Sequence, residues 1–112
     1  MENIPSVRKK EEFQQQVLQA RKPVVVDFYI DWCENSQRLA LVMTQLARQY
    51  GQQVHFVKVN VDDAAELERL YAIRVTPTVM LFESGRVSSR WENQLSPHDY
   101  EPALDRLAEA RR

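Results

Sequence analysis

Cys33 is the only cysteine in the chain, and its chemistry is the most direct lead that the sequence offers. A lone cysteine excludes an internal disulfide and a zinc site built on cysteine pairs. An apolar run over residues 24–30 predicts a buried strand before it, and a helical pattern over residues 35–50 follows it. At such a helix start, free N–H groups and the helix dipole favour the thiolate, the attacking form, whereas nearby Asp31 and Glu34 oppose it. The alternative interpretation is a small buried hydrophobe.

Asp27 is the one acid within the apolar run of residues 24–30. A carboxylate is costly to bury unless it is paired with a cation or protonated. The sequence therefore predicts that Asp27 either has a cationic partner or holds its proton at unusually high pH.

The pattern of apolar residues predicts the elements that position these two side chains. Helices are expected over residues 9–21, 35–50 and 64–71 and from Ser96 onward, and strands over residues 24–30, 54–61, 78–82 and 87–91. A turn at residues 83–86 joins the last two strands. Alternating helices and strands followed by a hairpin are typical of an α/β fold with a mixed sheet and helices on both faces.

Composition and charge narrow the classes of function. The 112 residues fit a single domain, residues 1–112, and the net charge of −1 gives no basic face for nucleic acid or for a membrane surface. The apolar runs are far shorter than the ~20 residues of a membrane span, and the polar N-terminus lacks a signal-peptide core, so a cytoplasmic location is expected. His55 and His98 are far apart in sequence and no glycine-rich loop is present, so neither a metal nor a cofactor is expected.

Residues 26–36, Val-Asp-Phe-Tyr-Ile-Asp-Trp-Cys-Glu-Asn-Ser, resemble the active-site stretch of the thioredoxin family. In that family a strand carrying an aspartate leads to Trp-Cys-x-x-Cys at the start of a helix. The resemblance extends over roughly residues 8–110, with matches at Lys58, Thr76-Pro77-Thr78, Phe82 and Gly85 in the family's order and spacing. It implies the thioredoxin fold, a central mixed sheet of four to five strands flanked by helices on both faces.

The resemblance also implies roles for individual residues. Cys33 is the nucleophile, and Asp27 with Lys58 tunes the site, the alternative being a structural buried pair. Thr76 and Pro77 form a cis-proline loop that faces the thiol and pairs with bound substrate, the alternative being an ordinary trans turn. Two further candidate substrate-binding residues are Trp32, which offers an apolar contact or is merely structural, and Asn93, which replaces a glycine of the substrate groove.

Ser36 occupies the place of the family's second, resolving cysteine. A serine hydroxyl cannot form a sulfur–sulfur bond, so this chain is expected to capture a disulfide at Cys33 without releasing it unaided. The alternative is that Ser36 has a structural role only, as a first-turn helix residue with local hydrogen bonds.

Three functions remain open on this basis. The first is a monothiol thiol–disulfide exchange protein that forms mixed disulfides with protein or glutathione partners. The second is a redox-inactive protein-binding module, and the third is a dithiol reductase, recharged by a thioredoxin reductase, that carries an engineered Cys to Ser trap at position 36. A monomer is expected, with a Cys33-linked dimer as a product of air oxidation.

Overall fold

The computed structural model describes residues 4–110, which contain four helices and four strands. The strands are β1 (Val24–Tyr29), β2 (His55–Asn60), β3 (Thr78–Glu83) and β4 (Arg86–Glu92). The helices are α1 (Lys10–Phe13), α2 (Glu34–Tyr50), α3 (Ala65–Leu70) and α4 (Pro97–Ala110). A π-helical turn (Gln14–Leu18) extends α1, and a 3₁₀ turn (Val61–Asp63) precedes α3.

The four strands form one mixed sheet in the order β2-β1-β3-β4. β1 runs parallel to β2 and antiparallel to β3, and β3 and β4 form the predicted antiparallel hairpin. A central strand flanked by helices on both faces has no side open to water, which explains why β1 is almost continuously apolar. The expected thioredoxin fold, with a four-stranded sheet, is confirmed.

Two cores lie on opposite faces of the sheet, and successive residues of β1 point into them alternately. Val24, Val26 and Phe28 belong to the core that contains Phe13 of α1 and Leu67 of α3. The other core contains Val25 and the inner faces of α2 and α4, with Leu39, Met43, Leu46, Tyr100, Leu104 and Leu107. The predicted placement of helices on both faces is therefore confirmed.

The helix ends show where local chemistry decides the boundaries. The serine cap predicted for α4 is present, since the Ser96 hydroxyl accepts the N–H of His98 at 3.2 Å and Asp99 Oδ2 accepts the N–H of Ser96 at 3.1 Å. The first helix is shorter than the predicted residues 9–21: α1 and its π-helical extension together begin at Lys10 and end at Leu18. Within residues 4–110, none of the helices combines the length and the apolar character that crossing a membrane requires.

Candidate active site

Cys33 lies between the end of β1 and the first residue of α2, in the extended conformation of a helix N-cap. Its N–H bonds to the carbonyl of Ile30 at 3.4 Å. The side chain is half-buried, and its thiol donates to the main-chain carbonyl of Thr76 at 3.5 Å. The expected position of the thiol at a helix start is therefore confirmed, and a second segment of the chain reaches it.

The surroundings of Cys33 stabilise the negative charge of its thiolate. The main-chain N–H of Ser36 has the largest effect and lowers the pKa of the Cys33 thiol below its ordinary value. Partial burial works against this shift, and the hydroxyls of Ser36 and Thr76 reinforce it. Free N–H groups of the first helical turn thus act on the thiol as expected from its place in the sequence.

Ser36 faces the interior at the start of α2 and is only 3% exposed. Its Oγ accepts the N–H of Ile30 at 3.4 Å, which ties the end of β1 to the first turn of α2. The same hydroxyl lies near enough to Cys33 to lower the pKa of the thiol. Ser36, three residues after Cys33, therefore places a hydroxyl near the sulfur, at the position where a dithiol site would have its second thiol.

The loop before β3 forms one wall of the site. The Thr76–Pro77 peptide bond is cis, as the resemblance predicts. The Thr78 hydroxyl donates to the carbonyl of Val75 at 2.7 Å, and the carbonyl of Pro77 accepts the N–H of Asn93 at 2.9 Å. These bonds hold the loop against the end of β4, and the Thr76 carbonyl faces the thiol.

Asp27 lies on the same sheet face as Val25, toward α2 and α4, and is 5% exposed. Burial raises the pKa of its carboxyl to about 7, and the charge of Lys58 only partly offsets this effect. Asp27 and Lys58 are register partners on β1 and β2, as the resemblance implies. Within residues 4–110, however, no ion pair joins them, because the Lys58 ammonium lies over the ring of Tyr29, 5.7 Å from its centroid. The alternative interpretation, a structural buried ion pair, is therefore wrong at the level of side-chain contact.

Trp32 lies on the surface beside Cys33, with 74% of its area exposed. Its indole N–H donates to Asp62 Oδ2 at 3.1 Å. The N–H of Asp62 in turn bonds to Asn60 Oδ1 at 3.0 Å, and the Asn60 amide donates to Asp31 Oδ2 at 3.2 Å. This chain of contacts was not expected from the sequence, although Asn60 ends β2 and Asp62 follows it, as Asp31 follows β1. The carboxyl ends of parallel strands meet at one edge of a sheet, and that rule is the signal that would have found them.

Asn93 follows β4 and has a left-handed backbone, with φ of +57°. Its Oδ1 accepts a hydrogen bond from the Nδ2 of Asn35 at 2.9 Å. Asn35 lies in the first turn of α2, two residues after Cys33. The sequence pointed to Asn93 alone, and the contact with Asn35 is new.

The comparisons with known proteins agree with this geometry. The sequence model of the Thioredoxin family matches residues 5–105. Thioredoxin 1 of Synechococcus elongatus is 42% identical over 74 residues, which cover 66% of this chain and 69% of that protein. A thioredoxin of Pseudomonas aeruginosa is 34% identical over 93 residues, which cover 83% of this chain and 86% of that protein.

The fold has a solved counterpart as well. The crystal structure of Malassezia sympodialis thioredoxin superposes with a TM-score of 0.85, covers 95% of this chain and 91% of that chain, and is 24% identical in sequence. At that identity the structural similarity supports the fold alone, whereas the assignment to a family rests on the sequence matches. The lone thiol lies at a helix start and faces a cis-proline loop. The chain that carries it belongs to the thioredoxin family, whose general chemistry is thiol–disulfide exchange.

Proposed function

We propose that this chain is a monothiol thiol–disulfide exchange protein, with Cys33 as the nucleophile and protein disulfides as its partners. The observation that carries the proposal is the environment of the Cys33 thiol. Hydrogen bonds at the start of α2 lower its pKa, its side chain is half-buried rather than sealed, and it faces the Thr76 carbonyl. A thiol with these three properties is placed to attack a disulfide.

The first step is a displacement at sulfur. The Cys33 thiolate attacks one sulfur of a partner disulfide, and a new sulfur–sulfur bond forms as the partner's own bond breaks. The other partner sulfur leaves as a thiolate and takes a proton from solvent. No net oxidation or reduction occurs in this step, since one disulfide and one thiol are exchanged for another of each.

The second step requires a thiol that the described residues do not supply. Ser36 stands where a resolving thiol would attack the mixed disulfide, and its hydroxyl cannot form the required sulfur–sulfur bond. An external small-molecule thiol such as glutathione completes the step. If it attacks the partner's sulfur, Cys33 leaves as a thiolate and the partner keeps a mixed disulfide with the external thiol. If it attacks the Cys33 sulfur, the partner leaves as a thiolate and Cys33 carries the external thiol until a second one removes it. The proposal is therefore exchange or isomerisation with an external thiol, rather than self-sufficient reduction.

Neighbouring residues have supporting roles in this proposal. Trp32 offers an exposed apolar ring beside the sulfur, and the cis-proline loop at Thr76 and Pro77 offers main-chain groups to an extended partner. Asp27 influences the site as a buried carboxyl group whose pKa lies near neutral. Lys58 modulates that carboxyl through its charge.

The test is the accumulation of a mixed disulfide. Reduced protein is mixed with a cysteine-containing peptide disulfide at pH 7, and the adduct is followed by intact-mass spectrometry, with N-acetylcysteine as the reference thiol. The wild-type chain should react about tenfold faster than the reference and hold the adduct until glutathione is added. Cys33→Ser should form no adduct. Ser36→Cys should form the adduct transiently and then release the peptide, as an internal disulfide closes between Cys33 and the introduced thiol.

Two outcomes would overturn the proposal. If Cys33 reacts no faster than N-acetylcysteine, the thiol is incidental and a redox-inactive binding module is the better interpretation. If the wild-type adduct, separated from the released peptide thiol and from unreacted protein, decays at the same rate without an added thiol, release does not depend on an external thiol and the proposed second step is wrong.

A further inference from the structure

The surface differs on the two sides of the Cys33 thiol, which we call its flanks: one contains Trp32 and Asp62, and the other contains Asn35 and Asn93. β1, β2 and β4 all run in the same direction, so Cys33, Asp62 and Asn93, which follow these strands, lie at one end of the sheet. The strand order β2-β1-β3-β4 places Asp62 and Asn93 at opposite edges, with Cys33 between them. Trp32 is held at the Asp62 edge, and the contact between Asn35 and Asn93 lies at the other.

In the flank formed by Asn35 and Asn93, hydrogen bonds connect Asn93 both to the cis-proline loop and to α2. The N–H of Asn93 bonds to the carbonyl of Pro77 at 2.9 Å, and its side chain accepts the Asn35 amide at 2.9 Å. The backbone φ of +57° is one that residues with side chains seldom adopt, and asparagine tolerates it better than most. The two carboxamides therefore form a bridge from the cis-proline loop to the first turn of α2.

We propose that Asn35 and Asn93 are the specificity-determining pair of this site, selecting disulfides in which the residue beside the attacked cysteine is small or polar. The inference rests on the proposed exchange function and names the class of disulfide that it accepts. It concerns the Asn93 flank only, because the opposite flank presents the exposed ring of Trp32 to apolar groups.

The physical reason lies in what a partner must do to the amide bridge. An extended partner segment that pairs with the backbone at Thr76 runs past Asn93, because Asn93 is bonded to the next residue, Pro77. A small side chain leaves the bridge intact, and a polar one exchanges hydrogen bonds with the free N–H and C=O of the carboxamides. A bulky apolar side chain covers or parts the bridge and leaves amide groups unpaired. Such a loss reduces the rate by roughly tenfold or more.

The test compares matched peptide disulfides. Two sets of short peptides carry Gly, Ser or Leu immediately before or immediately after the cysteine. Each rate of mixed-disulfide formation is divided by the rate of the same protein with bis(2-hydroxyethyl) disulfide, so that changes in the thiol itself cancel. The wild-type chain should prefer Gly and Ser over Leu by about tenfold at one of the two positions.

Three variants at the bridge and one control complete the experiment. Asn93→Gly suits the left-handed backbone and should reduce the preference to about twofold or less, and Asn35→Ala should do the same. Asn93→Asp still accepts the Asn35 amide and should keep the preference. Ser84→Gly is the matched control, because Ser84 also has a positive φ of +52° but lies in the turn at the far end of the hairpin. It should keep the wild-type preference.

The inference is overturned if Asn93→Gly retains the full preference, or if the wild-type chain treats Gly and Leu peptides alike while reacting rapidly with both. Either result leaves the exchange function standing. If wild-type Cys33 is no faster than a free thiol toward bis(2-hydroxyethyl) disulfide, the exchange function fails, and the proposed selectivity fails with it.

Discussion

Asp27 and Lys58 are register partners on neighbouring parallel strands, yet the ammonium of Lys58 lies over the ring of Tyr29 instead of against the Asp27 carboxylate. Among residues 4–110, Asp27 Oδ1 has no hydrogen-bond partner from the protein. Burial therefore dominates and raises the pKa of the carboxyl to about 7, from an ordinary value of 3.8. Between these two values the folded protein holds a proton that the unfolded chain has lost.

This relationship predicts that the contribution of Asp27 to the stability of the protein falls as the pH rises from about 4 to about 7. Proton binding by the folded state alone makes the free energy of unfolding decrease with pH, by about 4 kcal/mol over a shift of this size. Above pH 7 this contribution is constant. Asp27→Asn removes the titrating group and should be more stable than wild type at pH 8–9, with the two converging near pH 4. Urea unfolding at a series of pH values measures the difference.

Asp63→Asn is the matched control for this experiment, since it removes an exposed carboxylate near the same end of the sheet. It should follow the wild-type curve across the same pH range. Parallel stability curves for Asp27→Asn and the wild-type chain would contradict the assignment of a near-neutral pKa to Asp27.

A second prediction concerns the hydroxyl of Ser36. Ser36→Ala removes a group that helps to lower the pKa of Cys33, so the pKa of the thiol should rise toward its ordinary value. Alkylation by iodoacetamide at pH 7 should slow by about 3–10-fold, which corresponds to a hydrogen bond of about 1 kcal/mol. At pH values above both thiol pKa values, the two alkylation rates should converge.

Thr44→Ala provides the control, because it deletes a hydroxyl from the same helix that bonds only to the carbonyl of Ala40 among the described residues. Its alkylation profile should match that of the wild-type chain. If Ser36→Ala also leaves the profile unchanged, the main-chain N–H groups of α2 alone set the reactivity of the thiol.

The elements around Cys33 were predictable from the sequence because each has a local cause. The apolar run from Val24 predicts a central strand, the helical stripe before Tyr50 predicts α2, and Ser96 with Pro97 predicts the start of α4. The cis bond before Pro77 was expected only through the family resemblance, because no local pattern distinguishes it from a trans turn.

The contacts that shape the site were harder to predict from the sequence. The bridge between Asn35 and Asn93 joins residues 58 positions apart, and the bond between Trp32 and Asp62 joins residues 30 apart. Such pairs depend on which strand edges meet, and composition and periodicity do not specify that. The long side chain of Lys58 is a similar case, since strand register fixes its Cα beside Asp27 but not the direction of its ammonium.

A third prediction follows from the bond that holds Trp32 to Asp62. Asp62→Ala should free the indole and slow mixed-disulfide formation with an apolar peptide by about threefold, because the side chain must then be ordered on binding. In a Trp91→Phe background, Trp32 is the only indole, and its fluorescence anisotropy should decay faster after the change. Asp63→Ala removes a neighbouring exposed carboxylate and should leave both measurements as they are in that background. Equal effects of the two variants would indicate a general role of charge instead of the hydrogen bond.

A final prediction concerns Arg90 on β4, whose guanidinium closes the end of α3. It donates to the carbonyls of Tyr71 and Ala72, both at 2.8 Å, where Ala72 turns the chain with a φ of +52°. Tyr71 in turn packs against Phe28 of β1, with ring centroids 6.0 Å apart, so the bonds help to position the core beneath the site.

Arg90→Ala should lower the free energy of unfolding by about 1–2 kcal/mol in urea titrations, because two charge-assisted hydrogen bonds to carbonyls and an ion pair with Glu92 at 3.0 Å are lost from a side chain that is 32% exposed. Arg106→Ala is the comparison, since the Arg106 side chain is 58% exposed and, among the described residues, makes a single ion pair, at 3.1 Å, with Glu83. That surface pair should contribute at most about 0.5 kcal/mol. If both variants lose the same stability, the two carbonyl contacts of Arg90 add nothing to its surface ion pair with Glu92, and the end of α3 is held by the packing of Tyr71 instead.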